Sequence, residues 1–504
     1  MTEPNYLVQI LNAPVYDVAI ETPLDPSVRL SQRLKNSVFL KREDLQPVFS
    51  FKLRGAYNCM VQLSEIQRAM GVVASSAGNH AQGVALSAAK LDIDAHIVMP
   101  VTTPSIKVDA VRKFGAEVIL FGDDFDAAKQ HAGQLAEKHG WTNIHPFDDP
   151  HVIAGQGTIG LEILRQFRKP IKAVFVAIGG GGMAAGIGSY IKAVRPEILV
   201  IGVEPQDAAS MSAAFAAGKV VDLSEVGTFA DGVAVRRVGD ETFRVCREVV
   251  DEIIQCDTDE ICAAIKDVFE DTRSILEPAG ALSVAGLKKY IKANGWSGEN
   301  VVAIACGANM NFDRLRHVSE RAEIGETREG LFAVTLPEQP GSFRTFIRQL
   351  GDRDVSEFNY RYSEGQSARV FVGVKIDNCE EFETLLEGLN RADFASVNLL
   401  QNEMAKLHLR HMVGGRAVTI QNELIFRFEF PERSGALSSF LDRMGENWNI
   451  SLFHYRNHGS NVARVLVGIQ VPPEDREEFS VFLDQLGFKY TDETDNPAVG
   501  LFLH

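Results

Sequence analysis

The chain predicts an α/β fold in two lobes, followed by two copies of a smaller α+β unit. Three observations predict it. From about residue 50 to residue 305, short apolar strands alternate with helical stretches, the rhythm of parallel strands joined by crossover helices. A run of four glycines, Gly179 to Gly182, stands directly after one of those strands. Beyond residue 330 the sequence repeats itself.

Taken in order, residues 1 to about 40 open with a helix-like apolar pattern through Tyr6, Leu7, Ile10, Leu11 and Tyr16. Thr22-Pro23-Leu24 breaks it, because proline disfavours helix in the residue before it. Val38 to Leu40 reads as a short strand. Strands follow at Val72–Ser75, Ala95–Met99 and Val118–Phe121, with helices at Ala81–Lys90, Ser105–Phe114 and about Phe125–His139. The same rhythm gives strands at Ala173–Ile178, Leu199–Val203 and Val301–Ala305. Two lobes with a cleft between them are expected.

Composition changes after Asn309. Residues Asp313 to Arg328 are rich in charge and read as a helical neck. The repeat then pairs Leu336-Pro337-Glu338-Gln339-Pro340-Gly341-Ser342-Phe343 with Phe430-Pro431-Glu432-Arg433-Ser434-Gly435-Ala436-Leu437. Phe358-Asn359-Tyr360-Arg361 pairs with Phe453-His454-Tyr455-Arg456, and Ala368 to Val374 with Ala463 to Ile469. Each copy reads strand, helix, strand, strand, helix, short strand, a ferredoxin-like order.

The chain's 504 residues suit about three domains. A net charge of -16 argues against non-specific binding to nucleic acid or anionic lipid. No apolar run is long enough for a membrane span, and Met1-Thr2-Glu3-Pro4 has neither the basic nor the apolar region of a secretory signal. The six cysteines form no Cys-x-x-Cys pair and no zinc-type cluster, so reduced thiols, a cytoplasmic location and no metal are expected.

The chemistry is sought around Ser50-Phe51-Lys52-Leu53-Arg54-Gly55. A lysine taken alone is most often a solvated charge. Buried beside an apolar ring, its amine loses protons readily and attacks carbonyls. Such an amine can hold an aldehyde cofactor as a Schiff base. The tetraglycine loop and the helix opening near Met183 suit a phosphate, since glycine lets backbone N–H groups approach closely and the helix start is electropositive. Ser75-Ser76-Ala77-Gly78-Asn79-His80 precedes a small-residue helix, and its donors suit a carboxylate; ordinary capping by serine and asparagine is the plainer alternative. Cys306-Gly307-Ala308-Asn309 follows the strand Val301–Ala305.

These four segments, in this order, resemble the fold type II family of pyridoxal phosphate enzymes, and within it the biosynthetic threonine deaminases. The resemblance runs through nearly the whole chain. It implies a two-lobed catalytic domain over residues 1–322, with the smaller lobe within about 50–160. A neck at 323–329 follows, then an ACT-like domain at 330–401, a linker at 402–422 and a second ACT-like domain at 423–495. It implies pyridoxal 5'-phosphate on Lys52, which also serves as the base. Phe51, Asn79, Gly179, Gly180, Gly181, Gly182, Met183 and Cys306 contact the cofactor, and Ser75, Ser76, Gly78 and Asn79 receive the substrate carboxylate. His80 is expected to be structural. Glu277-Pro278-Ala279-Gly280-Ala281 also matches, as a wall of the ring pocket rather than a catalytic group. Many of these enzymes carry serine where this chain has Cys306; a thiol does not protonate the pyridine nitrogen.

The implied reaction converts L-threonine to 2-oxobutanoate and ammonia, and L-serine to pyruvate less well. It is the committed step of isoleucine synthesis, inhibited by isoleucine and opposed by valine, in a homotetramer. The effector positions implied are Pro337, Gly341, Tyr360, Pro431, Gly435 and Tyr455. Two other readings of the residues stand beside this one. Gly179-x-Gly181-x-x-Ala184, with Glu204 after the next strand, fits a loose dinucleotide fingerprint and hence an oxidoreductase. A non-catalytic amino-acid sensor would also use the repeats.

Overall fold

The computed structural model describes residues 4–326, 328–337, 346, 349–351, 353, 355–360, 367–409, 422–431, 448–456 and 462–503. They fall into two compact units, Met1–Ala322 and Glu323–His504.

The first unit holds two sheets. One comprises β1 (Leu24–Pro26), β2 (Ser37–Lys41), β7 (Ala173–Ala177), β8 (Leu199–Pro205), β9 (Glu252–Cys256) and β10 (Asn300–Ile304), in the order β1-β2-β10-β7-β8-β9. Its strands are parallel except β1, which runs antiparallel to β2. The other comprises β3 (Val72–Ser75), β4 (Ala95–Met99), β5 (Glu117–Leu120) and β6 (Thr142–Asn143), in the order β5-β4-β3-β6, all parallel. Parallel strands covered on both faces are apolar throughout rather than alternating. Accordingly β3 and β7 are buried at every position.

Local chemistry sets several boundaries. The helix Phe125–His139 starts where the Asp124 side chain accepts from the Ala127 N–H and stops at Gly140, whose φ of 73° is left-handed. The apolar pattern expected to run as helix to Tyr16 is broken earlier: the helix is Tyr6–Leu11, and Val15–Asp17 is a separate 3-10 turn after Pro14. The helix Pro150–Gln166 was not foreseen. It begins on an Asp149 cap with Pro150 in its first turn, and packs backbone to backbone on Gly182–Val194. A Cβ on Gly157 would lie 2.9 Å from the Gly186 carbonyl oxygen, so small residues permit the approach.

The second unit holds two antiparallel sheets. β11 (Glu329–Pro337), β12 (Val355–Tyr360), β13 (Ser367–Lys375) and β14 (Ser396–Asn398) are ordered β12-β13-β11-β14. β15 (Glu423–Pro431), β16 (Asn449–Arg456), β17 (Val462–Gln470) and β18 (Lys489–Asp492) are ordered β16-β17-β15-β18. The two sheets share even a register shift, between Val355 and Glu357 in one and Ile450 and Leu452 in the other. This is the expected pair of ferredoxin-like copies. They share a core, in which Leu331, Phe371 and Leu399 pack with Ile425, Leu466 and Val499. The segment between them contributes to that core, because the helix Glu403–Leu407 buries Met404 and Ala405 in it. Among the effector positions, Pro337 ends β11 and is exposed, and Pro431 ends β15. Tyr360 and Tyr455 lie on β12 and β16. Gly341 and Gly435 lie outside the described residues, as do the side chains of Tyr360, Pro431 and Tyr455.

Candidate active site

Strand ends build the site. The Lys52 segment enters the helix Lys52–Met60 alongside the segment that leaves β10. Phe51 N–H donates to the Cys306 carbonyl at 3.3 Å, and Ala308 N–H to the Phe49 carbonyl at 2.8 Å. A bridge joins Ser50 to Gly307. Two segments about 250 residues apart in sequence are thereby stitched side by side.

A pocket opens there. Phe51, Lys52, Asn79, Gly179, Gly180, Gly181, Gly182, Met183 and Cys306 all line it. Every cofactor position expected from sequence is therefore brought to one cavity. Ser75, Ser76 and Gly78 do not line it. Ser75 ends β3 with its hydroxyl buried and unpartnered, and the Ser76 hydroxyl accepts from the Gly78 N–H at 3.3 Å. They stand in the turn that leads into Asn79, at the start of the helix Asn79–Leu91.

Lys52 Nζ lies 5.4 Å from the centre of the buried Phe51 ring and donates to the Pro146 carbonyl at 3.2 Å. Burial lowers its pKa to about 8, against the upward pull of Cys306 and Glu277. Asn79 is held at both ends of its amide. Nδ2 donates to Glu277, and Oδ1 accepts from Asn309 Nδ2 at 2.6 Å. Burial and the charge on Asp231 raise Glu277 to about 7, with the Asn79 hydrogen bond opposing them. Cys306 Sγ donates to the Ala279 carbonyl at 3.3 Å, and burial pushes its thiol well above the usual range, so a neutral thiol faces the pocket. His80 is buried with Nε2 on the Ile144 carbonyl at 2.8 Å and burial lowers its pKa to about 3, which suits a neutral structural imidazole.

The glycine loop is a cradle that side chains would fill. A Cβ on Gly180 would fall 2.2 Å from the Phe147 ring, and Gly181 has a left-handed φ of 97°. Thr242 Oγ1 donates to the Gly180 carbonyl at 2.6 Å and Cys246 Sγ approaches that of Gly181 at 3.6 Å. The helix Gly182–Val194 begins at the loop. A buried amine, a glycine cradle at a helix start and a buried polar wall of Asn79, Glu277 and Cys306 fit pyridoxal phosphate in their chemistry: a nucleophile for its aldehyde and backbone donors for its phosphate.

Sequence reasoning missed the segment Ile144–Asp148. Pro146 receives the Lys52 proton donor, Phe147 covers the glycine loop, and the Asp148 carboxylate accepts the N–H groups of Asp240, Glu241 and Thr242 at 3.0 Å each. Its one local signal was His-Pro directly after a strand. Asn309 was quoted only as part of a motif. Glu204 is fully buried and its oxygens cap the next helix, accepting from Met211 N–H at 2.7 Å and from Ser212 N–H and Oγ at 2.8 and 2.6 Å. Fully buried and already holding three donors, it is not presented to a ribose, which removes the support for a dinucleotide site.

Comparison with known proteins agrees with this geometry. Residues 15–307 match the family described as pyridoxal-phosphate dependent enzyme. Residues 320–409 and 414–503 each match the C-terminal regulatory domain of threonine dehydratase. The chain is 56% identical to L-threonine dehydratase biosynthetic IlvA of Burkholderia multivorans, covering 100% of both proteins. It is 53% identical to the protein of that name from Escherichia coli, over 99% of this chain and 97% of that one. The processed form of threonine deaminase isoform 2 from Solanum lycopersicum superposes with a TM-score of 0.62 at 54% identity, covering 63% of this chain and 92% of that structure. By its catalytic unit, its paired C-terminal domains and its likeness to these relatives over its whole length, the chain belongs to the biosynthetic threonine dehydratase family of pyridoxal-phosphate-dependent enzymes.

Proposed function

We infer that this protein converts L-threonine to 2-oxobutanoate and ammonia, and L-serine to pyruvate more slowly. The observation that carries the reading is the convergence of Lys52, Asn79, the four glycines and Cys306 on one pocket. Lys52 is the residue that would hold pyridoxal phosphate, with Gly179 to Met183 around its phosphate, Asn79 and Cys306 beside its ring and Phe51 against it. When bound, the cofactor supplies an aldehyde that condenses with amines and a ring that draws electrons from the adjoining carbon.

The chain's own residues do the rest. Lys52, with its pKa lowered to about 8, carries a useful share of neutral amine near neutral pH and takes the proton from the substrate Cα. Phe51 excludes water from that amine. Asn79, fixed by Glu277 and Asn309, presents a second N–H in a set direction. Of the stretch Ser75–Asn79 it is Asn79, at the start of its helix, that reaches the pocket, and the substrate carboxylate is placed beside it in this reading. Cys306, a neutral thiol already donating to a backbone oxygen, would offer the cofactor's ring nitrogen no proton, which would favour loss of the β-hydroxyl over slower exchange reactions.

Feedback by amino acids follows from the two regulatory domains. Isoleucine as inhibitor, valine as its opponent, binding near Pro337, Gly341, Tyr360, Pro431, Gly435 and Tyr455, a homotetramer and a cytoplasmic location belong to the same reading. Thiols at Cys59, Cys246, Cys256, Cys306 and Cys379 support the last. The test is direct. Purified protein should be yellow and form 2-oxo acid from threonine. Lys52→Ala loses both that activity and the lysine adduct trapped by borohydride. Retained turnover in Lys52→Ala would refute the reading.

A further inference from the structure

Asp231 opens the single turn Asp231–Val233, whose Gly232 and Val233 line the pocket. This turn is seated without slack. A Cβ on Gly232 would lie 2.9 Å from the Ala279 methyl, and one on Gly179 would lie 2.8 Å from Val233 Cα. The Asp231 carboxylate faces away to two cations. Oδ2 accepts from Lys107 Nζ at 2.7 Å, and Oδ1 from Arg314 Nη1 at 3.2 Å. Arg314 also donates to the Phe229 carbonyl at 3.1 Å, two residues before Asp231.

The three residues come from separate parts of the catalytic unit. Lys107 is on the helix Ser105–Arg112, which follows β4 in the smaller lobe. Asp231 belongs to the pocket rim. Arg314 is the first residue of the helix Arg314–Gly325, on which the chain passes from the catalytic to the regulatory unit. The side chains are 17%, 27% and 8% exposed respectively, so the ion pairs are shielded from bulk solvent more than surface pairs are. Burial alone would raise the Asp231 carboxyl; Lys107 and Arg314 instead hold it far below the usual carboxylate range.

We propose that Asp231 is a positioning residue for the reaction, latching the pocket rim to Lys107 of the smaller lobe and to Arg314 at the start of the neck helix. The inference rests on the threonine reaction proposed above. Closure of the smaller lobe over substrate is thereby bonded to the rim that contacts it. Because one carboxylate takes both partners, displacement of Arg314 by the neck would loosen the rim and the Lys107 contact together.

Full-length holoenzyme provides the test, with wild-type turnover of threonine measured first so that failure of the reaction and failure of the latch are read separately. Lys107→Met and Asp231→Asn should each raise the KM for threonine by about tenfold with a smaller change in kcat, and the double variant should be no worse than the singles. Arg314→Lys should restore most of what Arg314→Met loses. Deuterium uptake in Lys107→Met should rise at residues 228–236 as well as at 101–112. Multiplied effects in the double variant, an unchanged KM, or uptake confined to the mutated helix would overturn the proposal.

Discussion

Lys52 Nζ and the Pro146 carbonyl oxygen lie 3.2 Å apart, a hydrogen bond between the residue expected to hold the cofactor and a segment that no motif had marked. This contact and the Phe51 ring replace water around the amine. Desolvation is the main reason its pKa falls from 10.5 to about 8.

That shift predicts a pH dependence of stability. In the unfolded chain Lys52 holds its proton to about pH 10.5, whereas the folded chain releases it near pH 8. Between those values the unfolded state binds more protons, so folding becomes more favourable as pH rises. Below about pH 8 both states are protonated and the burial penalty is felt in full. Compared with Lys52→Met, cofactor-stripped wild type should therefore gain stability across this window, with a slope of up to about 1.4 kcal/mol per pH unit. Urea unfolding at several pH values measures it. A difference that stays flat would mean that the amine is solvated.

Gly180 should tolerate no side chain. Its Cβ would fall 2.2 Å from Cγ of Phe147, and the same phenyl residue approaches Gly182 through its backbone. Cγ is the near end of that ring, so a small turn of the side chain does not clear it. Overpacking of this kind typically costs about 1–3 kcal/mol, so Gly180→Ala should weaken cofactor retention by about tenfold to a hundredfold. Dialysis followed by visible absorbance gives the reading. Adding Phe147→Ala should recover part of the loss, and no recovery would place the damage elsewhere.

Beneath the Lys52 helix lies a closed set of charges. Glu162 accepts from Lys41 Nζ and from Arg54 Nη1 at 2.6 Å each, and Arg54 Nε donates to Glu43 at 2.8 Å. All four side chains are 0% exposed. Two cations face two anions, and Tyr16 adds a hydroxyl to Glu162 at 2.9 Å. Glu162→Gln would leave two buried cations sharing one carboxylate. Breaking such a pair costs about 3–5 kcal/mol, which should appear as a lower urea midpoint for the catalytic unit. Lys41→Met in the same chain should restore part of it by removing the surplus charge.

The sequence was legible where a local pattern has one structural meaning. Continuous apolar runs gave β3, β4, β7 and β10, because parallel strands bury both faces. The helix read at about Phe125–His139 has those ends in the structure, where Asp124 and Gly140 cap it. Matching segments in the same order along the chain exposed the two repeats. What escaped has weak local form. β1 is three residues with a proline, and β6 is two. The helix Pro150–Gln166 is buried on nearly every side, so it has no amphipathic stripe to announce it. In the site, Lys52 and Asn79 were found because their motifs are contiguous. Pro146, Phe147 and Glu204 had to be seen in place, since their roles depend on partners far away in the chain or on which hydrogen bonds they have already made.

Shared packing between the two repeats separates two kinds of truncation. Leu331, Ala333, Phe371 and Leu399 of the first copy and Met404 just after it form one buried cluster with Ile425 and Leu466 of the second and with Ala498, Val499 and Phe502 of the helix that follows it. Arg369 Nη1 also donates to the Gly500 carbonyl at 3.2 Å, and Asn402 Nδ2 to Asn496 Oδ1 at 3.0 Å. Deleting only the second copy, after Gly414, would bare the first copy's half of that core. An apolar surface of this kind promotes association, so this protein should aggregate. Ending the chain after Arg328 removes both halves together and leaves the catalytic unit's own core whole. The shorter truncate should therefore be the more soluble of the two, turn over threonine and lose its response to isoleucine. Size-exclusion chromatography and a 2-oxo acid assay with and without isoleucine distinguish these outcomes. Undiminished inhibition of the shorter protein would locate the effector site in the catalytic unit, and a soluble single-copy protein would show that the shared cluster is dispensable.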